Sequence, residues 1–233
     1  MASIYDAIAG FAIFNGLSSA QLKEFIGNMP LDVKTYMPGE RIVFAGEEVT
    51  FAKGIFMGEI LVDHIELGGM IKVSEVWNAG CMIGMDRLFG IDPRYKYDVT
   101  ARTKCGVFQL PKRLFIELLK SKEICMINYL NFLSLRAQRP YQALSLVTDQ
   151  SYLSKIGSAL LLLSDSRAES VQITFSMENN LPLFNLSEDE KRLVDEFCER
   201  GLLVVEKGKR VFVPCKKKFL VEVDNLCSQL VEQ

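Results

Sequence analysis

Residues 121–150 read SKEICMINYLNFLSLRAQRPYQALSLVTDQ. Met126, Leu130, Leu133, Ala137, Leu144 and Val147 recur there at steps of four, three, four, seven and three. This is a heptad seam, and Pro140 occupies the position that the seam skips. A seam this regular asks for a partner helix. Two readings follow: a helix buried inside one domain, or a dimer spine joining two domains. A helix is predicted over 121–150, with a kink or break at Pro140, where a helix interior loses a hydrogen bond at a cost of about 3 kcal/mol. Residues 1–120 lie before the seam and residues 151–233 after it.

The chain has 233 residues, 49% of them apolar, which supplies a sizeable core for one large or two modest domains. A net charge of -2 argues against an overall basic nucleic-acid coat and leaves room for a local basic face. Six cysteines are scattered without CxxC spacing, so neither a zinc ribbon nor a thioredoxin motif can be written from them. The first ten residues lack the basic n-region of a signal peptide, and the longest apolar runs are too short to span a bilayer. The expectation is a cytoplasmic protein with reduced thiols and no membrane partner.

Outward from the seam toward the N-terminus, apolar spacing over residues 4–13 predicts a helix. Asn15-Gly16-Leu17-Ser18 breaks it, and Ser18 or Ser19 can cap a second helix over 21–28. After Pro30 the texture becomes β-rich. Val33, Ile42-Val43-Phe44, Ile55-Phe56, residues 60–62 and 71–73, Val99, Val107-Phe108 and Leu110 form short pieces. Pro38-Gly39, Gly46, Gly58, Gly68-Gly69 and Gly80 separate them. This spacing predicts an all-β barrel or jelly roll. From Pro111 the pattern is helical again, with Leu114, Phe115, Leu118 and Leu119 on one face.

Several of these pieces occur in a distinctive order: Pro38-Gly39-Glu40, Gly46-Glu47, Gly58-Glu59-Ile60, Asn78-Ala79-Gly80, Ile83-Gly84, Val99-Thr100-Ala101, then Cys105. The ordered set resembles the cyclic-nucleotide-binding domain of Crp/Fnr transcription regulators, and the likeness continues through the long helix. The resemblance implies an α+β fold: an N-terminal β jelly-roll barrel, cyclic-nucleotide-binding-like, over 1–120; a long dimerisation helix over 121–150; and a C-terminal winged helix-turn-helix over 151–233.

In cAMP-binding members a glutamate holds the ribose, an arginine followed by a serine grips the phosphate, and two hydroxyl residues on the long helix meet the adenine. By resemblance these positions fall on Met85, Tyr95, Lys96, Pro140 and Tyr141. Asp86 lies one residue from the glutamate position, and Arg94 and Lys96 flank that of the arginine. The pocket implied by the resemblance is Gly84, Met85, Asp86, Tyr95, Lys96 and Tyr141, and its departures from the family chemistry argue against cAMP. It either takes an unidentified small-molecule effector or is filled by Met82, Met85 and Tyr95. Iron–sulfur members need an N-terminal cysteine cluster, whereas the first cysteine here is Cys81. Haem members use axial ligands such as histidine, and the lone His64 reads as structural. No cofactor or metal is expected.

On the C-terminal side, residues 152–163 read as a helix with Leu153, Ile156, Leu160 and Leu163 on one face. Residues 171–174 suit a short strand, and 176–184 a weak helix interrupted by Pro182. Ser187-Glu188-Asp189-Glu190 is a capping box that starts a helix with Leu193, Val194, Phe197 and Cys198 on its buried face, ended by Gly201. Residues 202–205 and 211–213 form a hairpin around 206–210. Helix, turn, helix, hairpin is a winged helix-turn-helix, resembling the DNA reader of the same family. Two registers are open. Anchored on Gly201, Glu188 and Arg192 take the family's base-reading positions, a pairing suited to cytosine and guanine. Anchored on Ser187 as the cap, Leu193 takes the arginine's place.

The acidic turn opposes phosphates, while Lys207, Lys209 and Arg210 in the wing and Lys216-Lys217-Lys218 after it can clamp them. The expected DNA contacts are thus Ser187, Glu188, Arg192, Lys207, Lys209 and Arg210. No Ser/His/Asp set, metal cluster or phosphate-binding glycine loop appears, so an enzyme is not expected. The reading is a homodimeric regulator of double-stranded DNA, with RNA polymerase as the further partner that the resemblance implies. The rival is a ligand-sensing dimeric scaffold whose degenerate helix-turn-helix binds protein.

Overall fold

The computed structural model describes residues 4–27, 31–147, 151–175, 186–206 and 210–231. The predicted helix over 176–184, with its Pro182, and the wing lysines Lys207 and Lys209 lie outside the described residues. The chain divides into two compact units. One comprises Met1–Val62 with Trp77–Ala137, and the other Asp63–Val76 with Gln138–Gln233.

The first unit opens with α1 (Ile4–Ala9), a 3-10 turn (Ala12–Phe14) and α2 (Ser19–Gly27). The start of α2 is set by local chemistry. The Gln21 N–H donates to Ser18 Oγ at 3.2 Å, and the Ser18 N–H donates to Gln21 Oε1 at 2.9 Å, a reciprocal cap. There follow β1 (Asp32–Tyr36), β2 (Arg41–Val43), β3 (Phe51–Met57), β4 (Glu59–Glu66), β5 (Ile71–Asn78), β6 (Cys81–Ile83), β7 (Asp98–Ala101) and β8 (Cys105–Pro111). β8 is buried on both faces, as its nearly continuous apolar run requires. One of its faces meets the helices through Phe108, whose ring lies 5.0 Å from that of Phe11. Gly54 makes this packing possible, since a Cβ there would sit 2.2 Å from the Phe108 ring.

The expected jelly-roll barrel is not formed. The described strands make open sheets. One sheet of the first unit runs β1-β8-β3-β6, and in the other β5, β4, β7 and β2 follow in order. Among the described strands the first sheet ends at β1 and β6 and the second ends on this side at β2, whereas a barrel needs a closed ladder. The edge strands β2 and β6 have three residues each, and the β2–β7 register shifts between Arg41 and Val43. Strands this short carry too few ladder bonds to extend the pairing to closure.

α3 (Lys112–Ser121) and α4 (Glu123–Val147) complete the helical side. The seam helix thus begins at Glu123, after an extended Lys122 (φ -127°, ψ 92°). α4 is uninterrupted at Pro140, so the expected break is absent. Its buried residues include Cys125, Tyr129 and Ala143. The seam stripe, about a quarter-turn away, faces solvent: Met126, Leu130, Ala137 and Leu144 are exposed and Leu133 half-buried. The Val147 side chain lies outside the described ones.

The second unit contains α5 (Tyr152–Leu163), β9 (Ala168–Phe175), α6 (Glu188–Glu199), β10 (Val204–Glu206), β11 (Arg210–Val213) and α7 (Lys216–Val231). It also takes in the tip of the β4–β5 hairpin, beside which β9, β11 and β10 follow in order. Lys216-Lys217-Lys218, expected as phosphate clamps, open the helix α7. It is an amphipathic helix with Phe219 and Val223 fully buried, and the Phe219 ring stands 5.8 Å from that of Phe197 on α6. Lys216 is correspondingly no phosphate clamp. It is buried, and its Nζ donates to the Asp165 carbonyl at 2.7 Å.

β5 alternates as a half-buried strand should, with Val73, Glu75 and Trp77 inward. Glu75 is the polar member of that row and is compensated. It accepts from the Asp165 N–H at 2.9 Å and lies 3.3 Å from His64 Nε2. His64 Nδ1 is 3.1 Å from Glu66. The lone histidine is therefore held between two carboxylates.

Candidate functional site

The helix expected to read DNA is built by its own first turn. Ser187 Oγ accepts from the Glu190 N–H at 3.2 Å, and Glu190 accepts from the Ser187 N–H at 2.9 Å. Glu190 also accepts from the Tyr152 N–H at 3.2 Å, which ties α6 to the start of α5. Ser187 and Glu190 are thus spent on structure. Val194 and Phe197 point inward, and Gly201, at φ +65°, ends the helix in the left-handed region. The outward face carries Glu188 and Arg192, each with its side chain 83% exposed. Lys191 donates to Glu188 at 2.6 Å and holds its carboxyl below the usual range. Arg192 lies 3.8 Å from Asp189, a loose exposed contact that leaves the guanidinium available. Leu193, the alternative reader, is half-buried.

The wing contributes Arg210, which pairs with Glu206 and donates to Gln172 at 3.4 Å. Its charge is partly engaged on the hairpin. Lys217 and Lys218 are exposed in the first turn of α7. Of the run Lys216-Lys217-Lys218, these two face outward while Lys216 is buried.

The residues assigned to an effector pocket fall into different environments. Gly84 (φ +70°), Met85 and Tyr95 are packed together. A Cβ on Gly84 would stand 2.5 Å from Tyr95 Cε1, so the ring fills the space beside that turn. The Gly84 N–H donates to Tyr97 Oη at 2.9 Å, and Tyr129 Oη donates to the Met85 carbonyl at 2.8 Å. Burial, then the Asp86 charge, pushes the Tyr129 hydroxyl up to about 12. Asp86 meets Arg136 at 3.1 Å through one oxygen, while its other oxygen is buried without a partner. Lys96 pairs with Asp92, and Arg94 donates to the Gly46 carbonyl at 2.9 Å. Tyr141 stands exposed on α4. Tyr97, Tyr129 and Arg136 were not singled out from sequence. Tyr129 has the spacing of an ordinary core residue in α4.

The packing at Gly84 gives a direct expectation. Gly84→Ala adds a methyl into the Tyr95 ring at a positive φ and should cost about 1–3 kcal/mol. Urea unfolding checks this, and an unchanged midpoint would contradict the close packing.

No protein-family model matches the sequence, and no curated protein matches it. Solved structures do match. The Thermus thermophilus catabolite activator protein superposes with a TM-score of 0.53 at 17% identity, over 91% of this chain and 97% of that one. The sensor domain of the transcriptional regulator DNR from Pseudomonas aeruginosa superposes with a TM-score of 0.51 at 19% identity, over 60% of this chain and 91% of that one. At this level of identity the likeness establishes a shared fold. Among the described residues no helix is long and apolar enough to cross a membrane.

Proposed function

We propose that this chain is a Crp/Fnr-type transcription regulator that dimerises through α4, reads double-stranded DNA with α6 and answers to an effector other than cAMP. The observation that carries the reading is the division of labour on α6. Ser187, Glu190, Val194 and Phe197 hold the helix in place, and Glu188 and Arg192 are left facing outward. A base-reading helix needs this arrangement, with its N-terminal side chains free for the major groove. The fold shared with the catabolite activator protein over most of both chains supports it. The exposed seam on α4 supports a symmetric pair, which would set two reading helices to two half-sites. Met85 and the buried Tyr95, at the positions of the family's glutamate and arginine, support exclusion of cAMP. An effector acts by favouring one spacing of the reading helices, a population shift.

The test is a selection of genomic fragments by the full chain at low salt, with and without cell extract. Enrichment of a common palindromic site is expected. Recovery of random fragments only would overturn DNA reading and leave the protein-binding scaffold, which the exposed Glu188 and Asp189 favour.

A further inference from the structure

Residues 63–76, the tip of the β4–β5 hairpin, belong to the second unit, and the strands that carry the tip reach back into the first. β5 stands next to β9, and β9 has β11 on its other side, so the tip extends the wing sheet. Its fastening is polar and largely buried. His64 on β4 has its side chain 10% exposed, with Nδ1 3.1 Å from a Glu66 oxygen and Nε2 3.3 Å from a Glu75 oxygen. Glu75 on β5 accepts with its other oxygen from the Asp165 N–H at 2.9 Å. Asp165 is itself buried and held: its carboxylate accepts from Arg167 Nε at 2.6 Å, and its carbonyl accepts from Lys216 Nζ, at the start of α7, at 2.7 Å. From α4, Arg139 donates to the neighbouring Ser164 carbonyl. Asp63, also on β4, is taken up by Lys72 and Ser74.

A neutral imidazole carries one N–H and one lone pair. Here a carboxylate oxygen stands at hydrogen-bond distance from each ring nitrogen, so either neutral tautomer would turn a lone pair toward an anion. Only the imidazolium donates at both. We propose that His64 is a proton latch: protonated, it fastens the hairpin tip to the 164–167 turn through Glu75 and Asp165, and deprotonated, it lets the tip open from the wing sheet. The other cations of the cluster have acceptors of their own, Arg167 on the Asp165 carboxylate, Lys216 and Arg139 on backbone carbonyls. Losing the proton on His64 therefore weakens the hold on Glu75, the side chain that joins hairpin to turn. The direction of titration agrees: burial lowers the His64 pKa, and the bonds and charges of Glu75, then Glu66, outweigh burial and leave it raised. The latch is thus closed below the ordinary value of about 6.5 and opens as pH rises through the folded-state value.

The latch goes beyond the DNA reading and is tested without DNA, so either can fail alone. His64 is the chain's one histidine, so NMR of the full chain follows a single imidazole. Its midpoint should lie above about 6.5. Hydrogen exchange then reports the contact itself, because the Asp165 amide has Glu75 as its acceptor. A charge-assisted hydrogen bond is about twice as strong as a neutral one, a difference of about fivefold in a local opening. The protection factor of the Asp165 amide should fall by about fivefold or more as pH rises across the His64 midpoint, while that of the Phe197 amide in α6 stays level, which separates opening of the latch from unfolding of the unit. In His64→Gln the Asp165 amide should lose this step. Glu66 has its side chain 43% exposed, so Glu66→Gln keeps the fold, and it should move the NMR midpoint and the protection step down in pH together. A midpoint at or below about 6.5, flat protection of Asp165 across it, an equal fall at Phe197, or the same step in His64→Gln would overturn the proposal.

Discussion

Replacing Glu75 with alanine is expected to lower the unfolding free energy by about 3–5 kcal/mol near pH 6, the largest stability effect of any single substitution considered. Glu75 is almost fully buried, and its two oxygens serve two partners, His64 Nε2 and the Asp165 N–H. Removing it takes the acceptor from the Asp165 N–H and one of the two carboxylates from the His64 imidazolium, leaving Glu66 alone beside it. Glu75→Gln keeps hydrogen-bonding atoms and should cost less. The pH dependence follows from His64. Burial draws its pKa down, but hydrogen bonds and charge from Glu75, then Glu66, outweigh that and leave it raised. A raised folded-state pKa means that its stabilisation is fully present below the unfolded value of about 6.5 and is lost as pH rises through the folded one. Urea unfolding across that window should therefore show wild-type stability falling with pH by more than that of His64→Gln. A Glu75→Ala loss below about 1 kcal/mol would contradict the account of this network.

The second large effect concerns association. Leu130 and Leu144 are 55% and 58% exposed on the same stripe of α4. Leaving such side chains in water forfeits roughly 1.5–3 kcal/mol each relative to burial. Replacing both with glutamate sets like charges face to face across a two-fold interface. The expected result in sedimentation is a dimer for the wild type and a monomer for the variant. The melting of the variant measured as a monomer should stay cooperative, because neither side chain supports the core. A wild-type monomer at micromolar concentration would contradict the seam reading.

What the sequence revealed and what it hid divide along the range of the interactions. The two capping boxes, Ser18 with Gln21 and Ser187 with Glu190, are three-residue chemistry, and both helices start where those residues stand. The 152–163 helix and the glycine-spaced strands were equally local. Sheet closure was not local. It depends on edge pairing, which strand spacing does not encode, and the inferred barrel was wrong for that reason. The burial of Glu75 was likewise hidden, because its partner Asp165 lies 90 positions away. Lys216 looked like a phosphate clamp because its acceptor lies 51 positions back. On α6, the outward position of Arg192 follows from the helix phase that buries Val194 and Phe197, whereas its base-reading role rests on the resemblance. The filling of the Gly84 turn by Tyr95 needed three dimensions.

DNA reading by α6 is tested most directly by one measurement. Full-length wild type and Arg192→Ala are titrated by fluorescence anisotropy against the selected genomic site and a scrambled duplex, at two salt concentrations. A bidentate arginine–guanine contact is worth about 1–3 kcal/mol of discrimination. The account predicts that Arg192→Ala lowers the ratio of specific to random affinity by about fivefold to 150-fold, with little change in salt slope beyond the single charge removed. An unchanged ratio would contradict base reading by Arg192 and with it the assignment of α6 as the recognition helix.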